Sequence, residues 1–308
     1  MTSTTLMRMA RARRGWRLAG AAVAVTGVVT GPVAIGPAAP AGAVGAAGVP
    51  GAAGAVGAAG VPGVGSSGQI SDPTPHGPQR PYEPDVPGPV TTDTVDVTME
   101  RVAGTATGVR VRFDRSSRTL TGEKPAPVRR FVITFDKKIG INAWAFPTCS
   151  LEALKERGPS ACPAGSQIGS GLYVPWVPAG EPQPEPAEVY ALNGWAHGYP
   201  AVFVHVAGIT LVQTIEKVTG PHARTYGFGK DEIIPPSDTP PMERASTARF
   251  VLDFGATTTV AGVPVSYLTA KPAPAYDFGY FTQFVTGQEI MPTPRATVDW
   301  GTTKAPGS

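Results

Sequence analysis

The chain is short of the residues that carry most chemistry: 308 positions hold two cysteines, Cys149 and Cys162, and four histidines, His76, His197, His205 and His222. Neither a C-x-x-C pair nor an H-E-x-x-H sequence occurs, so the common zinc signatures are missing, and no G-x-S-x-G elbow marks a serine nucleophile. Acidic residues are absent before Asp72, whereas five arginines (Arg8, Arg11, Arg13, Arg14 and Arg17) crowd the start. The formal charge of +3 therefore belongs to the leader; the rest has 21 basic residues against 23 acidic ones. A nucleic-acid footprint needs a basic surface in the mature protein, and none is visible. With 38 Gly and 34 Pro, a predominantly helical protein is excluded as well.

The leader reads as a signal peptide. An Arg-rich n-region precedes the apolar run Leu18 to Val29, which breaks at Gly31-Pro32, and Ala39-Pro40-Ala41 and Ala41-Gly42-Ala43 both have the A-x-A form of a cleavage site. An uncleaved anchor needs about 20 apolar residues and tolerates Pro32 poorly. Arg13-Arg14 leaves twin-arginine export open beside the general route. Residues 42–89 then form a low-complexity linker, expected to be disordered. Ala43 to Gly51 recurs as Ala55 to Gly63, Val61 to Gly65 spells an elastin-like VPGVG, and seven prolines stand between Gln69 and Pro89. A tether and a drifting compositional tract are the two readings of the repeat.

From Val90 the pattern changes. Val95, Val97 and Met99 alternate with Asp96 and Thr98, and Val109 to Phe113 and Phe250 to Phe254 alternate in the same way. Phe131 to Phe135 and Val202 to Val206 are apolar on both sides, as central strands are. Further strands are expected at 168–174, 189–192, 209–215 and 263–268. Many short strands without intervening helices predict an all-β protein, an antiparallel β-sandwich of immunoglobulin-like type over residues 90–303, with 304–308 as a tail. The one helix signal is a two-turn segment capped by Ser150, with Glu152 at its start, Lys155 and Arg157 near its end, and Gly158-Pro159 beyond. Cys149 and Cys162 bracket it, and in an exported protein they are expected to pair. A metal pair or a redox pair is the alternative, though the spacing fits neither.

The segment Phe146-Pro147-Thr148-Cys149, the helix, then Cys162-Pro163-Ala164-Gly165-Ser166-Gln167-Ile168-Gly169-Ser170-Gly171 resembles a pattern in uncharacterised secreted β-sandwich proteins of high-GC Gram-positive bacteria (actinobacteria). In those the order is cysteine, short helix, Cys-Pro-x-x-Ser-x-aliphatic-Gly-x-Gly, then strands. The resemblance covers about 70 residues, continues weakly through Val189 to Gly194 and the strand after it, and implies fold and export without supplying catalytic residues.

The remaining candidates are scattered. His205 in its strand reads as a base or as an ordinary strand histidine, and Gly165 to Gly171 as a turn or bulge. Asp231-Glu232, beside Lys230 and before Pro235-Pro236, reads as a solvated loop. A dispersed hydrolase site would draw on Asp253, His205 and Glu232. Aromatic residues concentrate around the cysteine loop, and Trp144, Tyr173, Trp176, Trp195 and Tyr199 are the candidate binding surface, with core packing as the rival reading. The expectation is an exported, monomeric binding or structural module of the cell envelope or extracellular space. Its candidate partners are a cell-wall glycan or another envelope protein; no cofactor, metal, nucleic acid or membrane contact after cleavage is expected. The alternative is a secreted hydrolase acting on polysaccharide or ester.

Overall fold

The computed structural model describes residues 70–235 and 237–301. The expected signal peptide (1–41), residues 42–69 of the expected linker and the tail 304–308 lie outside the described residues. Strands β1 (Thr91–Arg101) and β2 (Gly108–Thr119) form the first hairpin, followed by β3 (Val128–Asp136) and β4 (Ile139–Ile141). Helix α1 (Leu151–Arg157) precedes β5 (Gln167–Pro175), β6 (Ala187–Ala196), β7 (Tyr199–Val206), β8 (Ile209–Lys217) and β9 (Tyr226–Ile233). Then come β10 (Thr247–Phe254), the small hairpin β11 (Thr257–Val260) and β12 (Val263–Ser266), β13 (Leu268–Ala270) and β14 (Tyr276–Phe284).

All pairings are antiparallel, and the main sheet runs β14-β3-β9-β8-β7-β6-β5-β10-β2-β13-β4, with β1 on the free side of β2. The sheet curls until its two halves face each other. Phe113 of β2 meets Phe135 of β3 and Phe278 of β14 edge-on at 5.7 and 5.6 Å, although these strands lie far apart in the sheet order. The all-β sandwich class with one short helix is therefore observed. Val97, Val109, Val111, Phe113, Ile133, Phe135, Val202, Val204, Leu252 and Phe254, all expected in the core, share one buried cluster.

Three hairpins close on two-residue turns whose first residue is forced into positive φ: His197-Gly198 (53° and 82°), Ala207-Gly208 (48° and 79°) and Ala261-Gly262 (51° and 81°). These are type I′ geometries, whose twist matches the flanking strands. His197 is thereby a turn residue. In β5, Gly169 faces the neighbouring strand so closely that a Cβ would sit 2.6 Å from the Asp253 carbonyl oxygen, and one on Gly171 would overlap the Val251 carbonyl. The Gly-x-Gly of the resembling segment thus lets β5 approach β10.

Two expectations need correction. The folded unit begins before Val90, because residues 70–89 form a strap on the sandwich. Asp72 pairs with Arg130, Glu83 with Arg244 and Asp85 with Arg129, while Thr74 is 1% exposed. A segment poor in apolar residues is held here by ion pairs and backbone bonds, among them Thr219 N–H to Pro73 O and Val86 N–H to Val285 O. Secondly, Lys230, Asp231 and Glu232 are not a solvated loop: they lie within β9 and are buried.

Candidate functional site

The disulfide Cys149–Cys162 is formed and closes the loop that carries α1, which Cys149 N–H ties to β6 through the Asn193 carbonyl. Ser150 caps the helix by accepting from Ala153 N–H, Glu152 and Lys155/Arg157 complement the dipole, and Leu154 is buried with Phe203, Leu192 and Ala201 beneath it. Two turns are too short to persist alone, and the disulfide with this small apolar cluster holds them.

Asn193 of β6 joins that lobe to the main core. Its side chain is fully buried and donates to the carbonyl oxygens of Ala143, Phe146 and Pro147 at 2.9, 3.1 and 3.3 Å, while Tyr267 donates to its Oδ1 at 3.1 Å. Its own carbonyl accepts from Cys149 N–H, and its N–H bonds Ser166 O. One amide thus fixes the single 3₁₀ turn Ala143–Ala145 against β6. Trp144 lies on that turn and is 78% exposed; Trp195, two residues along β6 from Asn193, is 55% exposed.

The structure divides the five aromatic candidates between two places. Trp144, Trp195 and Tyr199 belong to the end where the 3₁₀ turn meets the β6–β7 hairpin, with Trp195 opposite Pro200. Tyr199 is half-buried and donates to the His76 carbonyl of the strap at 3.1 Å. Tyr173 pairs with Ala187, eight residues from Trp195 on β6, a separation of about 26 Å along a strand. Tyr173 packs on the main core, and Trp176, half-buried, bonds its N–H to Ser246 O just beyond. The two halves do not form one surface.

The dispersed hydrolase residues are not assembled. Asp253, Ser170, Tyr190 and His205 are successive cross-strand partners on the outer face of β10, β5, β6 and β7, so Asp253 and His205 stand about 14 Å apart. Asp253 is engaged by Arg112 at 2.6 Å, and His205 by the Thr210 hydroxyl at 2.9 Å. Glu232 faces the interior. A shallow groove of about 330 Å³ runs along this row, bounded by Arg112, Asp253, Ser170, Leu172, Glu188 and Tyr190; its charged groups are engaged, Arg112 with Asp253 and Glu188 by Tyr190, which donates to it at 2.5 Å. Ser166 is buried and donates to Pro163 O.

A serine–histidine contact that the sequence did not announce joins Ser71 Oγ to His222 Nε2 at 3.0 Å. The same Nε2 lies 2.8 Å from the Ser71 carbonyl, which can only accept, so this nitrogen carries the proton and is not a base for the hydroxyl. The pair anchors the strap. Among the described residues no group of His, Cys, Asp or Glu has the arrangement to hold a metal ion.

The interior holds ionisable groups instead. Lys230, fully buried, places Nζ 4.1 Å from the centre of the Phe254 ring and about 6 Å from Phe113 and Phe135, without a hydrogen-bond partner. Burial lowers its pKa to about 7. Glu232, two residues on, accepts from Gln213 at 2.6 Å, and burial raises its pKa to about 8. Nearby, Arg115 is paired with Asp93 at 2.7 Å and lies over Tyr280. These groups line no opening, and their alternation along strands β2 and β9 puts them inside.

No family model, curated protein or solved structure matches this chain. The disulfide fits an oxidising, extracellular setting, and no helix among the described residues is long and apolar enough to cross a membrane.

Proposed function

We propose that this chain is an exported, immunoglobulin-like β-sandwich module of the cell envelope or extracellular space, and that it works by binding rather than by turnover. Its contact surface is the end bearing Trp144 and Trp195. The observation that carries this is the pair of indoles left 78% and 55% exposed on elements that Asn193 locks together. Large aromatics are normally mostly buried, and two of them held open on a rigid base offer contact area with little rotamer entropy to lose. Indole faces stack on the apolar faces of sugar rings, so a cell-wall glycan is the partner class proposed. The Arg-rich start, the apolar run and the closed disulfide support export, as does the resemblance to secreted actinobacterial sandwiches.

Titrating the chain with soluble wall-glycan fragments tests the reading. Saturable binding with quenching of tryptophan emission is expected, weakened at least tenfold in a Trp144→Ala/Trp195→Ala double variant that melts normally. Equal binding by the double variant rules out this surface. Capture of an envelope protein without glycan binding removes the glycan class.

A further inference from the structure

Between Ile70 and Gln79 the strap crosses the outer face of β3, β9 and β8. Arg130 of β3 reaches up to it, bonding both Asp72 oxygens at 2.6 and 3.0 Å and the Thr74 carbonyl at 3.2 Å, and reaches sideways to both oxygens of Asp231 on β9. Thr74 donates to Asp231 at 2.9 Å. The third carboxyl of this cluster, Glu216 on β8, is 4% exposed, accepts from Thr214, and forms no ion pair among the described residues. It lies against the strap so tightly that a Cβ on Gly77 would occupy the same space as its carboxyl group.

The charged groups facing Glu216 are Asp231 from β9, Arg130 from β3 and Asp72 from the strap. One guanidinium serves three carboxyls, and its hydrogen bonds go to the other two. Glu216 is therefore tolerated beneath the strap only as the neutral acid: once ionised it adds an unpaired charge to a covered site that already holds two carboxylates.

We propose that residues 70–79 are a proton-operated latch: this part of the strap stays seated while Glu216 keeps its proton, and lifts from β8 and β9 when that proton leaves. Burial already raises this carboxyl to about 7, whereas in water it titrates near 4.5. The lifted form binds fewer protons, so opening grows as pH rises. Between pH 6 and 8.5 these two values correspond to about a tenfold rise in the opening equilibrium. Because Tyr199 bonds the strap at His76, lifting also removes that one tether from the β6–β7 turn next to Trp195.

Amide hydrogen exchange on the full mature chain, corrected for the intrinsic pH dependence of exchange, reads the latch directly. Amides of residues 70–79 are expected to lose about tenfold in protection from pH 6 to 8.5, while those of β3 and β7 keep theirs. Glu216→Gln, which keeps the shape and the Thr214 bond without the charge, should hold the strap protected at both pH values. Unchanged protection in the wild type overturns the proposal, as does a Glu216→Gln variant that follows the wild type, or loss of protection by strap and sheet together.

Discussion

Lys230 offers the sharpest test of how the interior is held. Its ammonium lies among Phe254, Phe113 and Phe135 with no hydrogen-bond partner, and a fall in pKa from 10.5 to about 7 opposes the charged form by roughly 5 kcal/mol at about 1.4 kcal/mol per pKa unit. A desolvated cation over aromatic faces regains about 2 kcal/mol. Lys230→Met keeps an unbranched stem of similar length and removes the ammonium, so it is expected to stabilise the fold by about 2–3 kcal/mol, near 4–12 °C in melting midpoint. The pH dependence carries the sign. The folded pKa lies below the unfolded one, so between pH 7 and 10.5 the unfolded chain binds more protons and wild-type stability rises with pH through this residue. The advantage of methionine is full below pH 7 and fades towards 10.5. Urea unfolding of both proteins at pH 6.5, 8 and 9.5 measures it. A variant less stable than wild type at pH 6.5, or an advantage indifferent to pH, refutes the reasoning.

A chain beginning at Val90 is expected to melt at least 4 °C below one beginning at Ile70, a difference of roughly 1–2 kcal/mol, because the strap's pairs with Arg129, Arg130 and Arg244 are lost; calorimetry compares the two. Replacing Cys149 and Cys162 with Ala removes a cross-link across 13 positions and should cost about 3 kcal/mol, seen as a midpoint lower by about 6–12 °C. Asn193→Ala leaves the buried carbonyls of Ala143 and Phe146 and the Tyr267 hydroxyl without this partner and should cost about 2–4 kcal/mol in urea unfolding, with Trp144 emission shifting as the 3₁₀ turn loosens.

Much of the sheet was legible because alternation is a local property. β1, β2 and β10 show period two directly, and the doubly apolar β3 and β7 show it by its absence. The helix with its cap, charges and flanking cysteines was equally local. β9 escaped for a physical reason: Lys230-Asp231-Glu232 reads as solvated until Ile133 and Ile215, its partners across the sheet, show that Lys230 points inward. Asp114 to Thr119, a polar stretch, is strand because β1 pairs along all of it and β10 lies on its other side as far as Ser116. The strap was misjudged because apolar content was the criterion, whereas its order rests on ion pairs with arginines distant in sequence. Of the site, the residue types were visible and their grouping was not. Trp144 and Trp195 share an end of the sheet because Asn193 bonds the turn that carries Trp144 to the strand that carries Trp195, whereas Tyr173 and Trp176 are parted from them by the length of β6.

The strap's point of attachment also governs how the domain meets mechanical load. Tension arriving through the chain before residue 70 would not reach the end of β1 first. It would reach Ser71, bonded to His222, and Asp72, clamped by Arg130 of β3, and would peel the strap away contact by contact. Its twenty residues, drawn out, would span up to about 70 Å before any strand of the sandwich came under strain. The strap is in that sense an extensible fuse, yielding early and reversibly so that the hydrogen-bonded sheet behind it need not.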